Sequence, residues 1–429
     1  MTPALRRALF GAALGLCWLS AGAEPLIRVA VLAPQPNDFT PDFVAAHAWV
    51  HGGAQGPAAA VLDGPAGNAY AATIGAPAVT LLSAYYVHPP TAFLLMVPLC
   101  PLGYAGAALA WLALSVVLVG VLAASLRARA APATPTPRSP IVSFVLLLLW
   151  PPVLSNLQYG QWSIVLATTI AAGYAAWERG RHGRGAAWFG AAVALKLTPI
   201  VLLPYVALRN RRATLALGAT LAAILGLSLA VGQLDAWRTF FRYSAENVAA
   251  WQAYQHNTLS LGGLTARLLV GGAFARPLLA APVLARDLSL AGGAGLAAVA
   301  VWRTIAPGAA VDRLRDGCCF ALWNVVAVVT NPLAWPHYAI LLLLPMTLVL
   351  RALDGAGARA RVMRGLLAAA LLLLTIPTET LDRLAGSAPV TPGRGLFVST
   401  HLCGALLLFA AAALGTRGTN GLGAGPSAG

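Results

Sequence analysis

The chain has few charged residues, few carboxylates and a single lysine. Only 10% of its 429 residues are Asp, Glu, Lys or Arg, and Lys196 is the only lysine. So small a charged fraction argues against a water-soluble domain, in which about one quarter of the residues are charged. The five cysteines include no CxxC pair and no Cys–His spacing, which argues against a zinc or thioredoxin-like site. The 13 acidic residues include no DxD pair, so we expect neither a metal ion nor a cofactor.

What the chain does contain is long apolar sequence. Hydrophobic residues make up 59% of it, and the mean hydropathy is +0.75. Together with two proline-interrupted segments, 77–103 and 186–208, the apolar stretches predict an all-α polytopic membrane protein with about ten to twelve crossings. We expect a single domain over residues 1–415 and a disordered Gly-rich tail over 416–429. The uninterrupted stretches are at about residues 8–33, 104–126, 140–155, 161–177, 213–231, 280–301, 317–332, 337–351, 364–378 and 396–415.

The excess of arginine predicts the topology. The formal net charge is +15, which in a soluble protein would suggest a nucleic-acid partner. Here most arginines lie in short loops between apolar stretches, so they indicate cytoplasmic loops and no nucleic acid. Residues 29–126, 139–178 and 316–350 contain no Lys or Arg, and their loops are predicted to lie outside. With the Ala, Gly and Arg bias of a GC-rich genome, this predicts a bacterial plasma-membrane protein.

The N-terminus allows two interpretations. Arg6 and Arg7, an apolar run and the small residues 21–23 resemble a cleavable secretory signal. The same residues could form an uncleaved first helix. Both interpretations place the residues after Ala33 outside, so residues 34–90 are predicted to form the first external loop.

Lys196 lies within an apolar run of about 23 residues. Placing a cation at membrane depth costs roughly 3 kcal/mol, so such a residue indicates a functional site. A lysine near a helix end can instead reach the interface, but Arg184 and Arg209 already mark the two ends of this run. For both ends to be cytoplasmic, residues 186–208 must form a broken, re-entrant helix pair with Lys196 inside it.

Polar residues collect in the loops predicted to lie outside. Asp38 is the first candidate for a general base, because few external carboxylates exist and a desolvated carboxylate can accept a proton from a hydroxyl group. Asp42 is the alternative base, although it is also well placed as the N-cap of the helix that follows. The other candidates are substrate-binding residues from four polar clusters: His88, Asn156, Gln161, His256, Asn257, Trp335 and His337.

A cation at membrane depth, an external carboxylate and aromatic loops suit a lipid-phosphate substrate and a hydroxyl acceptor. The chemistry that these groups favour is glycosyl transfer from a polyprenyl-phosphate sugar. A transporter or flippase for a lipid-linked or anionic solute is the alternative, with Lys196 binding the anion at the midplane. A structural subunit of an envelope complex would leave Lys196 unexplained.

Several motifs occur in an order that resembles a known family. They are HPPTAFLLMVPL at 88–99, SNLQYGQWSIVL at 155–166, GAAVALKLTPIVLLPYVALRNRR at 190–212, HNTLS at 256–260 and NPLAWPHYAILLLLP at 331–345, with Asp38 about fourteen residues before Gly52. The chain resembles membrane glycosyltransferases of the GT-C class, specifically glycosyltransferase family 87.

The resemblance implies a GT-C-like helix bundle whose first external loop carries the active site. It implies Asp38 as catalytic base, and Lys196 and His337 near the lipid phosphate. The implied reaction is inverting transfer of a hexose, mannose in this family, from a polyprenyl-phosphate donor to a lipid or glycan hydroxyl. The chain departs from the family at His88, where a tyrosine or phenylalanine is usual, and at 257–259, where Asn-Thr-Leu replaces Asn-Gln-Ser.

Overall fold

The computed structural model describes residues 38–51, 65–77, 88–129, 139–306, 312–353, 357–386 and 389–416. The first predicted apolar segment, much of the predicted external loop 34–90 and the Gly-rich tail from residue 417 onward lie outside these residues.

The described residues are mostly helical, and their only β-bridge joins Ala275 to Val390. This confirms the predicted all-α fold. In chain order the helices are α1 (Phe39–His51), α2 (Pro65–Thr73), α3 (Pro90–Arg127), α4 (Pro140–Leu148), α5 (Pro151–Tyr159), α6 (Ser163–Glu178), α7 (His182–Leu195), α8 (Thr198–Arg209), α9 (Arg211–Ala230), α10 (Leu234–Trp251), α11 (Leu261–Leu269), α12 (Pro282–Ile305), α13 (Arg313–Val329), α14 (Pro336–Arg351), α15 (Ala358–Thr375), α16 (Thr378–Ala385), α17 (Pro392–Val398) and α18 (Thr400–Gly415).

Helix α13 lies at the centre of the bundle. Every residue from Gly317 to Val329 is buried, so the helix is enclosed on all sides. Its neighbours are α8, α12, α14 and α18. A helix that is apolar all round is stable only when other helices or lipid cover it. Here protein covers it, and its carboxyl end leads into the loop that precedes α14.

Helices α9 and α12 have the opposite character. Both are long and apolar, yet their outward side chains are exposed, with Leu215 at 75% and Leu290 at 64%. Such surfaces are stable in lipid rather than in water, which agrees with a polytopic membrane protein. By length and composition, α3, α9 and α12 can each span a membrane, and the bent pairs α4–α5 and α17–α18 raise the number in the described residues to five. The count of ten to twelve crossings stays a prediction.

Helices α7 and α8 form a hairpin with Lys196 at its tip. Helix α7 ends at Leu195, Lys196 is extended with φ −156° and ψ 131°, and α8 begins with 3-10 turns. At the other end of the hairpin, Asn210 Nδ2 lies 3.0 Å from His182 Nδ1, so the chain returns to the level at which α7 began. The predicted interruption of 186–208 therefore falls at Lys196. A re-entrant position in the membrane stays a prediction.

Ion pairs gather at the end of the bundle away from the tip. Glu178 binds both Arg129, at 3.0 Å, and Arg351, at 2.6 Å. Arg209, at the end of α8, lies 2.8 Å from Asp316. The arginines of predicted cytoplasmic loops thus meet at one end, whereas Lys196 lies at the other. The cytoplasmic assignment of the arginine-rich end stays a prediction.

Candidate active site

A cavity of about 320 Å³ lies at the tip of the α7–α8 hairpin. It is enclosed by the start of α1, the turn after α5, the carboxyl end of α13, the loop before α14, and α10. Five residues singled out in the sequence line it: Asp38, Gln161, Lys196, Trp335 and His337. The rest of the lining consists of Leu197, Thr198, Ile200, Val201, Phe240, Ser244, Val248, Trp251, Ala327, Thr330, Asn331, Pro332, Leu333 and Tyr338.

Asp38 is held in the cavity by the turn that ends α5. Gly160 adopts φ 67°, a left-handed conformation that a side chain disfavours. The turn is fixed by Trp111, whose indole N–H donates to Gly160 O at 2.9 Å. The Asp38 N–H donates to Tyr159 O at 3.1 Å, and the Gln161 side-chain amide donates to Asp38 Oδ2. Backbone and side chain of Asp38 are therefore both positioned by residues 159–161.

Asp38 is buried, with 5% of the residue exposed. Burial raises the pKa of Asp38 to about 7, and the nearby Asp42 carboxylate acts in the same direction. The hydrogen bond from Gln161 and the positive charge of Lys196 oppose this rise. A carboxyl group with a pKa near neutrality can both accept and release a proton at physiological pH, as a general base requires.

Asp42 lies behind the cavity wall. The sequence predicts Asp42 as a helix N-cap, and this is wrong, because α1 begins at Phe39 and Asp42 lies in its first turn. The Asp42 side chain is fully buried, accepts the Trp162 indole N–H at 2.6 Å, and lies 2.9 Å from His88 Nδ1. Asp38 lines the cavity and Asp42 does not.

His88 connects Asp42 to Lys196. The Lys196 ammonium lies 3.2 Å from His88 Nε2. An ammonium can only donate, so Nε2 is the acceptor and Nδ1 carries the proton that faces the Asp42 carboxylate. The three side chains are each no more than 6% exposed. The neutral imidazole thus bridges a buried cation and a buried carboxylate, which offsets the cost of burying either charge alone.

Lys196 reaches the cavity because α7 ends one residue earlier. Its ammonium also lies 4.6 Å from the centre of the Tyr338 ring, over the ring face. Thr91 donates a hydrogen bond to Ala194 O near the end of α7, which ties the hairpin tip to the start of α3. The single lysine is therefore held between α3 and α14, with its positive charge on the cavity wall.

His337 lies beside this cation. It is 1% exposed, and neither ring nitrogen has a hydrogen-bond partner among the described residues. Buried polar groups in proteins are nearly always paired, so an unpaired imidazole that lines a cavity indicates a bound ligand. Its ring centre lies 6.1 Å from that of Trp335 and 5.1 Å from that of Tyr338. The start of α14 thus places aromatic rings and a polar ring together.

Four residues predicted to bind substrate do not line the cavity, and His88, described above, is one of them. Asn257 is fully buried, and its amide bonds to the backbone of Gln252, Pro332 and Ala334. Asn156 Oδ1 accepts the Ile164 N–H at 3.3 Å. The His256 ring contacts the rings of Tyr254 and Trp335, and the residue is not part of the lining. The contacts of the two asparagines are those of residues that hold loops in place.

Helix α10 is the part of the site that the sequence analysis missed. The apolar stretches predicted from the sequence stop at residue 231 and resume at residue 280, so no helix was predicted between them. The structure folds residues 234–251 into an amphipathic helix whose Phe240, Ser244, Val248 and Trp251 line the cavity. On the opposite face, the side chain of Arg238 is 71% exposed and pairs with Asp235. Trp237, Phe240, Val248 and Trp251 fall on one face of a helix with 3.6 residues per turn, and this spacing was the available signal.

The fold and the cavity define an integral membrane protein with a polar site at one end of its helix bundle. The family model of glycosyltransferase family 87 matches residues 86–332, and the chain belongs to this family. The match includes His88, Gln161 and Lys196. Asp38 and His337 lie outside the matched residues, and the fold brings them into the cavity that Lys196 lines.

Two curated relatives are similar over part of the chain, and both are named polyprenol-phosphate-mannose-dependent alpha-(1-2)-phosphatidylinositol mannoside mannosyltransferase. The protein of Mycolicibacterium smegmatis is 31% identical over 239 residues, which cover 53% of this chain and 49% of that protein. The protein of Mycobacterium tuberculosis is 26% identical over 318 residues, covering 70% and 69%. The chain thus spans about half the length of the first relative. No solved structure matches.

Proposed function

We propose that the protein is an inverting hexosyltransferase that moves mannose from a polyprenyl-phosphate donor to a hydroxyl group of a lipid or glycan. The observation that carries this proposal is the meeting of Asp38, Lys196 and His337 in one cavity, although they are far apart in sequence. A carboxylate that can accept a proton and a cation that can hold a phosphate are the two groups that such a transfer needs. The site is proposed to face the exterior of a bacterial plasma membrane.

Each group has one role in the proposed reaction. Asp38 accepts the proton of the acceptor hydroxyl while the hydroxyl oxygen forms a bond to C1 of the donor sugar. On the opposite face of C1, the bond to the phosphate oxygen breaks, and its electron pair leaves with polyprenyl phosphate. Lys196 and His337 stabilise the charge of that leaving group. Attack from the face opposite the leaving group inverts the configuration at C1.

The apolar part of the cavity suits the lipid chain of the donor. Leu197 and Ile200 line the cavity next to Lys196 and are 42% and 41% exposed. Val201 and Val248 continue this surface. A polyprenyl chain attached to a phosphate at Lys196 can lie along these side chains and continue into the bilayer. A water-soluble sugar nucleotide would gain nothing from such a surface.

The test is transfer of labelled mannose from polyprenyl-phosphate mannose to lipid and glycan acceptors by the purified protein in lipid. A phosphatidylinositol mannoside is the first acceptor to try, because the relatives' names include it. Asp38→Asn is expected to reduce transfer by roughly 100-fold or more, the usual contribution of a general base.

Asp235→Asn is the matched control, since Asp235 is an exposed carboxylate on α10. It should leave the rate unchanged, and both variants should melt at the wild-type temperature. Full activity of Asp38→Asn would overturn the base assignment. Movement of the labelled donor across the membrane without sugar transfer would instead support the transporter alternative.

A further inference from the structure

The loop between α13 and α14 brings two further unpaired N–H groups to the cavity. Asn331 and Trp335 both line it. Asn331 Nδ2 and Trp335 Nε1 are buried, and neither has a hydrogen-bond partner among the described residues. A buried donor without a partner costs about 1–3 kcal/mol. Two such donors in one short loop of a cavity wall therefore indicate acceptor atoms on a ligand.

The loop holds these donors in fixed positions. Asn331 Oδ1 accepts the Leu333 N–H at 3.2 Å, which leaves the amide nitrogen as the free end of the side chain. Asn257 holds the same loop from outside the cavity, because its Oδ1 accepts the Ala334 N–H at 2.8 Å and its Nδ2 donates to Pro332 O at 2.7 Å. Fixed donors recognise a ligand with a smaller loss of entropy than mobile ones.

Both donors are neutral, and both belong to the cavity lining that also includes Lys196 and His337. The Lys196 ammonium lies over Tyr338, and Tyr338 contacts His337. The Trp335 ring centre lies 6.1 Å from that of His337. A sugar on a phosphate bound at Lys196 and His337 would therefore lie near Trp335. Neutral N–H groups and an aromatic face suit hydroxyl groups and the C–H face of a sugar.

We infer that Asn331 and Trp335 form the subsite that recognises the ring hydroxyls of the transferred hexose, with Asn331 Nδ2 and Trp335 Nε1 each donating to a hydroxyl oxygen. The inference rests on the proposed function, since it assumes a sugar phosphate in the cavity. It makes these two residues the determinants of which hexose is transferred, whereas Lys196 and His337 bind the phosphate that all such donors share.

The experiment pairs two variants with donors that lack one hydroxyl each. Trp335→Phe removes the N–H and keeps an aromatic face. Asn331→Ser removes the amide N–H without adding a charge, and its hydroxyl can still accept the Leu333 N–H. The probes are polyprenyl-phosphate mannose and its 2-, 3-, 4- and 6-deoxy analogues. Each variant should lower kcat/KM with the complete donor by about three- to tenfold, the usual value of one hydrogen bond.

The decisive result is the dependence on the donor. For each variant, one deoxy donor should show no further loss relative to the wild type, because the hydroxyl that the deleted N–H served is already missing. An equal loss with every donor would overturn the inference, since it would mean contact with the phosphate or damage to the fold. Unchanged kcat/KM with the complete donor would overturn it as well.

Melting temperatures of both variants separate folding from recognition. If Trp335→Phe proves unstable, Asn331→Ser alone decides the outcome through the same series of donors. If the wild-type protein transfers sugar but the variants lose activity equally with every donor, only the hydroxyl subsite is contradicted. A wild-type protein that transfers no hexose from any donor contradicts the proposed function, and the subsite with it.

Discussion

Replacing Lys196 by methionine tests the centre of the proposed site. Methionine keeps most of the length of the lysine stem and removes the charge. In the structure the ammonium is held by His88 Nε2 at 3.2 Å and by the face of Tyr338 at 4.6 Å, and the residue is 6% exposed. The change therefore deletes a buried cation at the cavity wall without opening a large void.

The expected loss follows from the contact that disappears. A hydrogen bond between charged groups contributes about 1.5–3 kcal/mol. If the Lys196 ammonium binds the donor phosphate, Lys196→Met should weaken binding of the donor by roughly 10- to 150-fold, since each 1.4 kcal/mol is about tenfold. The melting temperature should fall, because the Asp42 carboxylate then stays buried without the cation that His88 links to it.

Product inhibition isolates the phosphate contact. Polyprenyl phosphate should inhibit the variant more weakly than the wild type. Its inhibition constant should rise by the same factor as the donor KM. Uncharged polyprenol should bind both proteins equally, and the KM of the acceptor should not change. Arg238→Met, which removes an exposed cation from α10, is the control and should have no effect. Unchanged inhibition by polyprenyl phosphate in Lys196→Met would refute the phosphate role. Lys196 would then be explained as a lysine whose side chain reaches the membrane interface.

Three further predictions concern residues in the site and in the loops that support it. Because burial raises the pKa of Asp38 to about 7, kcat/KM should rise about tenfold per pH unit below that value and level off above it. Gln161→Leu should move the midpoint upward, since the lost hydrogen bond stabilises the carboxylate; a flat profile from pH 5.5 to 8 would contradict this assignment. His88→Phe should raise the donor KM, and combining it with Lys196→Met should add little, because His88 acts through Lys196; fully additive losses in kinetic assays would contradict that view. Asn257→Ala should lower the free energy of unfolding by about 1–3 kcal/mol, through its lost backbone bonds, and leave the donor KM nearly unchanged, as thermal melts and kinetics can show.

The choice between the two candidate bases shows how far the sequence analysis reached. Asp38 and Asp42 are four residues apart, and no pattern separates an external base from a helix-capping carboxylate. The separation depends on Gly160, which turns the chain after α5 so that Gln161 meets Asp38 and Trp162 meets Asp42. Those contacts join residues more than 100 positions apart, which a single sequence cannot reveal.

The same limit explains the residues that were missed or misplaced. Asn257 belongs to a polar cluster, and polar clusters on one side of a membrane suggest a site. Only the packing of residues 252–257 against 332–334 shows that its amide is used within the protein. Helix α10 was missed because a short amphipathic helix with arginines on one face has the same composition as a solvated loop.

The sequence by itself determined the all-α membrane fold, the family that the order of the motifs suggests, and Lys196 as a candidate functional residue. These follow from local properties: hydropathy sets the solvent of each segment, prolines limit helix length, and one cation in an apolar run stands out energetically. The tertiary structure decided which groups meet at that cation. The hairpin tip places Lys196 against His88 and Tyr338, and the end of α5 places Asp38 in the same cavity. Such convergence depends on how helices pack, and packing is determined by contacts between distant parts of the chain.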